Sequence, residues 1–232
     1  MPVRARHRSA PGTARALLLL SVAAALVALV AGCGAPEYTY VTNSSDRTYL
    51  KVPTSWRPID EKAMNDAIGF DPTLSEEERG LWFEAYDADK EPSPVHLFGP
   101  SAAAPAAFVG VQQVPEAARG QFSLDRLRDL FYPVSPSARE AAEMDPTAGG
   151  VSDFVLVSDQ VLTPGDGLHG VHSVFRYRVG DGPMQMMDQT AYLNDDASKL
   201  YMFFVRCSTE CYEQRQREIG TVVSSFTVRE TT

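Results

Sequence analysis

The last third of the chain limits the fold more than any other part of it. Four runs rich in β-branched and aromatic residues follow one another there: DFVLVSDQVLT (153–163), HGVHSVFRYRV (169–179), PMQMMDQTAYLN (183–194) and KLYMFFV (199–205). Their composition and length are those of strands. GDG at 180–182 and NDDAS at 194–198 separate neighbours, and glycine, asparagine and aspartate accept the backbone that tight hairpins require. Runs joined this way pair antiparallel.

The rest of the chain adds shorter elements. EYTYVT (37–42) and RTYLKV (47–52), joined by NSSD, predict a hairpin. Pro53 stops the second strand, since it cannot extend a ladder, and Trp56 folds back onto the sheet edge. Asp60 caps a short helix over EKAMNDAI. LWFEAYDA (81–88) and AAFVGVQQV (106–114) are further strands. Between them, DKEPSPVHLFGPSAAAP carries four prolines and reads as a surface excursion with room for a short strand. Ser123 precedes LDRLRDLFY, where Leu124, Leu127, Leu130 and Phe131 recur at helical spacing. PVSPSAREAAEMDPTAGG reads as a loop with room for one helical turn. After CSTEC, Tyr212, Ile219, Val222, Val223 and Phe226 share a helical face, and FTVRE supplies a final short strand. A long antiparallel meander with a few amphipathic helices laid on it is α+β, in a single domain.

The N-terminus addresses compartment. Arg4, Arg6, Arg8 and Arg15 lead into ALLLLSVAAALVALVAG, where Ser21 is the only polar side chain. A basic lead, an apolar run and small residues make residues 1–32 a secretory signal. The run is at the short edge of what spans a bilayer, so an uncleaved membrane helix is the competing reading. Val30-Ala31-Gly32-Cys33 resembles the lipobox of bacterial lipoproteins. That resemblance implies that the Cys33 thiol receives a diacylglycerol and that cleavage falls between Gly32 and Cys33. Residues 33–36 are then the lipidated cysteine and a short tether, and 37–232 the folded domain. Three residues reach about 10–11 Å at most, so the domain sits close to the membrane, on its extracytoplasmic face. Four of the 21 basic residues are the leader arginines, and none of the 30 acidic ones precedes Cys33, so the mature chain is more acidic than the whole-chain charge of −9. Such a surface argues against a nucleic-acid partner, and anionic headgroups repel it, which leaves the acyl anchor to hold the domain.

The path from RTYLKVPTSW through the long hairpins to DQTAYLN and KLYMFFV, then a helix and VVSSFTV, resembles the PsbP-like fold. More narrowly, it is similar to the small PsbP-related lipoproteins of actinomycete bacteria, the LpqN type. The resemblance implies an antiparallel sheet sandwiched between helices, and docking to larger assemblies without catalysis. CSTEC and the proline-rich insert at 89–107 lie outside the general PsbP pattern, so no ligand or partner surface transfers.

The two cysteines of CSTEC, Cys207 and Cys211, carry the main candidate chemistry. Outside the cytoplasm two nearby thiols oxidise by default. On a regular helix, β-carbons four positions apart lie about 5–6 Å from one another, whereas a disulfide wants roughly 3.5–4.5 Å. A bridge therefore forms easily only if Cys207 ends the strand and Cys211 opens the helix, with 208–210 as the turn. It would contribute about 2 kcal/mol by loop closure. The alternative is copper binding or thiol exchange by the same pair, because a helix N-terminus lowers a thiol pKa. Copper-delivery proteins of that kind carry a histidine well downstream, and no histidine follows Cys211.

Other metal readings are weaker. His169 and His172 are three apart on a strand and point to opposite faces. Met184 and Met186 share a face that Met187 opposes, as methionines filling both sides of a covered sheet do. Asp87 and Asp89 fall short of a calcium loop. No G-x-S-x-G, H-E-x-x-H or P-loop occurs, and SEEER (75–79) reads as a solvated helix face. The expected function is a lipid-anchored, non-enzymatic envelope module without cofactor or metal, engaging an envelope protein or a lipidic ligand.

Overall fold

The computed structural model describes residues 35–71, 73–144 and 150–229. The leader and Cys33 lie outside the described residues. In the folded unit, strands β1 (Tyr38–Asn43), β2 (Thr48–Pro53), β3 (Arg57–Pro58), β4 (Leu81–Asp87) and β5 (Ala106–Gln113) precede β6 (Val151–Gly165), β7 (Leu168–Val179), β8 (Gln185–Asn194), β9 (Lys199–Ser208) and β10 (Thr227–Val228). All pairings are antiparallel, in two sheets: β1-β2-β10, and β3-β4-β5-β9-β8-β7-β6. This is a mixed α+β domain.

The β6–β7 turn is the tightest. Gly165 lies opposite Leu168, and both Asp166 (φ 51°) and Gly167 (φ 71°) take the left-handed backbone. Two such residues match the right-handed twist of the flanking strands, which is why a short Gly/Asp loop suffices.

Strand alternation builds two cores. On one face lie Ala107, Val109 and Val111 of β5 with Tyr201, Phe203, Val205 and Cys207 of β9. They are covered by β1, β2 and β10 and by the helix Gln216–Ser225, through Ile219 and Val222. On the other face lie Ala106, Phe108, Leu200, Met202 and Phe204, covered by Met64, Leu97 and Leu127 from three helices. Residues such as Phe203 and Phe204, fully buried on opposite sides of β9, each contribute roughly 1.5–3 kcal/mol of transfer free energy. The expected cover of helices is thus partly a second sheet: the short C-terminal strand pairs with β2 and completes it.

Several local expectations need adjustment. The proline-rich excursion holds the helix Val95–Phe98, with no strand, and PSAREAAEM forms the helix Pro136–Met144 in place of a single turn. The helix after Ser123 ends at Arg128, because the Asp129 carboxylate accepts from the Val134 and Ser135 amides and from the Ser135 hydroxyl, and the backbone folds around it. Arg79 of SEEER turns inward: its side chain is 5% exposed, and its Nη1 donates to Asn65 Oδ1 at 2.6 Å. The C-terminal helical stretch breaks at Arg215 into Thr209–Gln214 and Gln216–Ser225.

Candidate functional site

Cys207 and Cys211 are joined by a disulfide, with Cα atoms 6.0 Å apart. No turn separates the elements that carry them. Strand β9 runs through Ser208, whose hydroxyl accepts from the Cys211 amide at 3.2 Å and caps the helix Thr209–Gln214. Cys211 is therefore in the first turn of that helix, where the backbone still bends toward the strand. Both cysteines are buried, at 0% and 6% exposure, in the core beneath the small sheet.

Next to this corner a carboxylate bridges three elements. Asp188 of β8, 5% exposed, lies 2.7 Å through Oδ1 from His172 Nε2 on β7, and its Oδ2 accepts from the Tyr212 hydroxyl at 2.8 Å. The hydrogen bond to Asp188 holds the His172 imidazole protonated above its ordinary range, against the opposing effect of burial. Burial, and then the Asp188 charge, push the Tyr212 phenol up. His169, three residues earlier on β7, pairs with Leu193 on the face that carries Met187, whereas His172 shares the face of Asp188. The histidines thus point apart, and the trio ties the C-terminal helix to the sheet. Among the described residues, no group of three or more His, Cys, Asp or Glu side chains could hold a metal ion. Of the methionines, Met187 is fully buried in the core, and Met186 lies opposite Cys207 in the ladder.

Two further polar anchors have little sequence signature. Asp87, fully buried, accepts from the Asp89 and Ser93 amides and lies 2.6 Å from His96 Nδ1, which fixes the start of the proline-rich loop. Arg206, also fully buried, donates to the Leu97 and Gly99 carbonyls and fixes its end.

The remaining candidate is a surface. β6 is the outermost strand of the large sheet, and none of its 15 residues is buried. Val155, Leu156, Val157 and Val161 are 44%, 42%, 54% and 54% exposed. Register shifts interrupt its pairing with β7 at Ser152/Val155, Leu156/Ser158 and Leu162/Gly165, leaving a regular stretch from Ser158 to Leu162. The carboxylates on this strand are already matched. Asp153 accepts from Arg178 Nε at 2.8 Å; Asp159 accepts from Arg128 and from the Ser173 hydroxyl, and Arg128 holds its carboxyl below the usual range. The edge is thereby locally neutral in an acidic chain. Sequence periodicity locates this strand but does not reveal that its outer side has no strand beside it among the described residues.

No family model matches the chain, and no curated protein matches it. Among solved structures it is similar to cyanobacterial PsbP (CyanoP) from Synechocystis sp. PCC 6803, at 17% identity and a TM-score of 0.46, over 85% of this chain and 95% of that one. It is similar to LpqN, involved in cell envelope biogenesis of Mycobacterium tuberculosis, at 11% identity and a TM-score of 0.41, over 83% and 90% of the two chains. It is similar also to the Saccharomyces cerevisiae Ran-binding protein Mog1p, at 8% identity and a TM-score of 0.42, over 83% and 96%. Likeness of this order carries no argument about binding.

Proposed function

We propose that this chain is a non-enzymatic binding module of the cell envelope, held at the membrane by a lipid on Cys33, which docks to an envelope protein through the free edge of β6. The observation that carries the reading is the set of exposed apolar side chains on a long strand that pairs, among the described residues, only on its β7 side. Such edges offer backbone donors and acceptors to an extended segment of another protein, and proteins that do not use them shorten, charge or cover them. The partner is a protein segment with apolar side chains at alternate positions, matching the neutral edge. A lipid ligand is less well supported: three clefts on the domain are open and are each lined by charged side chains, among them Arg79, Asp46 and Arg139. No helix among the described residues is long and apolar enough to cross a membrane, so the anchoring part of the reading rests on the lipobox.

Two measurements test it. Mass spectrometry of the protein from its host should find Cys33 diacylated and the leader gone, and Cys33→Ser should release the domain from the membrane fraction. Crosslinking in native membranes should join residues of β6 to another envelope protein, and Val157→Lys should abolish that product. Recovery of the uncrosslinked monomer alone would remove the docking reading. The competing copper or thiol-exchange reading draws on the same cysteines, but a disulfide by itself is not evidence of exchange, and this one is buried.

A further inference from the structure

At the other end of the large sheet from β6, the tip of the β1–β2 hairpin and the ends of β4 and β5 enclose an open groove of about 810 Å³. That volume is in the range of small-ligand sites, roughly 300–1,000 Å³. Its lining includes Thr42, Asn43, Asp46, Glu77, Trp82 and Gln113. We infer that this groove binds a neutral, hydroxyl-rich ligand: a short stretch of oligosaccharide.

The indole comes first. The chain has two tryptophans. Trp56 is 2% exposed and donates its Nε1 to Glu218 Oε1 at 2.5 Å, as a structural tryptophan does. Trp82 lies opposite Val111 in the ladder, packs partly against the core and lines the groove, half-buried. Its Nε1 hydrogen-bonds to none of the described residues. A flat apolar ring with a free N–H suits a sugar, whose ring presents a C–H face and a perimeter of hydroxyls.

The walls select the ligand's charge. One wall is the hairpin tip, held rigid because Asn43 Oδ1 accepts from the Ser45 hydroxyl at 2.6 Å and from the Asp46 amide, while Asn43 Nδ2 donates to Asp46 Oδ2 at 2.9 Å. Asp46 Oδ1 is also ion-paired with Lys199 Nζ at 3.0 Å. The Thr42 and Gln113 side chains are exposed and offer both donors and acceptors. Among the described residues no lysine or arginine lines the groove, whose charged side chains are Asp46 and Glu77, so a phosphate or carboxylate would find no cationic partner in its lining. An acyl chain would strip water from the carboxamides and carboxylates without replacing their hydrogen bonds. A neutral polyol replaces them and still covers the indole.

The test uses the detergent-solubilised full chain and the neutral trisaccharides chitotriose, cellotriose, maltotriose and mannotriose, titrated by tryptophan fluorescence and by calorimetry. At least one should bind saturably and perturb the emission. Trp82→Ala should weaken that binding about tenfold or more, the usual loss for a central aromatic contact. Since Trp82 also touches the core, Ser44→Arg on the exposed rim is the second variant: it should block binding with an unchanged circular dichroism spectrum. No binding of any trisaccharide at millimolar concentration, or binding that Ser44→Arg leaves intact, overturns the inference. So does preferential binding of inorganic phosphate or of anionic phospholipid vesicles. None of these outcomes bears on the β6 edge, which lies across the sheet.

Discussion

Arg206 Nη1 donates to the Leu97 carbonyl at 2.8 Å, across 109 positions of sequence. The same guanidinium reaches the Gly99 carbonyl at 3.0 Å and the Gln185 side-chain oxygen at 3.2 Å, and it lies 5.7 Å from the centre of the Tyr177 ring. Its described partners are all neutral, so what keeps this wholly buried cation in place is a set of carbonyl dipoles and an aromatic face. The proline-rich loop is pinned to the central strand by it.

Arg206→Met should therefore cost about 3 kcal/mol, because it removes a charged donor from the buried Leu97 carbonyl and from the Gly99 carbonyl. Urea denaturation gives the stability change. Limited proteolysis should show new cleavage between Ser93 and Ser101, and Arg206→Lys should restore only part of both.

His172 makes stability depend on pH with a defined sign. Its hydrogen bond to Asp188, with the Asp188 and Asp159 charges nearby, raises its pKa on folding above the ordinary value of 6.5. The stabilisation is fully present below that value and is lost as pH climbs through the raised folded value. Urea midpoints should fall as pH rises above the ordinary histidine value of 6.5 for the wild type, and His172→Gln should flatten that slope.

The disulfide should behave as a staple. With Cys33 replaced by serine, mild thiol reagents should leave Cys207–Cys211 intact in the folded chain, since both sulfurs are buried. Cys207→Ser paired with Cys211→Ser should lower stability by about 2 kcal/mol and keep the fold. Fast reduction in the native state would instead favour thiol exchange.

Val157→Lys separates docking from folding. Val157 is 54% exposed, so its replacement should change stability by less than about 0.5 kcal/mol. It should nevertheless abolish β6-dependent crosslinking, because a lysine on an edge strand opposes pairing with another chain.

Local signals read well wherever the governing interaction is local. The Asp60 cap is such a case: its carboxylate accepts from the Ala63 amide, and Gly69 closes the helix in the left-handed region. The long hairpins are another, since alternation and turn residues specify them together. What is hard to read depends on distant partners. Pro136–Met144 buries none of its residues, so its sequence lacks the apolar stripe that would announce a helix. Arg206 looks like any exposed strand arginine until Leu97 is beside it. The openness of β6 follows from strand order, and the groove at Trp82 from two hairpins meeting; neither is encoded in one segment. Cys207 and Cys211 fall between these cases, near in sequence yet decided by where strand becomes helix.

The small sheet joins opposite extremes of the domain: Thr227 lies against Tyr49, the Arg229 amide donates to the Arg47 carbonyl, and Ser225 bonds to the Lys51 backbone. A ribosome releases β2 long before β10 exists. During that interval the hairpin has one unsatisfied flank, and the hydrophobic surface it will share with Phe226 and Val228 is open to whatever is nearby. Completion of the domain waits for its final strand, so nascent chains should need shielding by a chaperone until then, and a premature stop just before Thr227 should be far more damaging than the loss of six residues suggests.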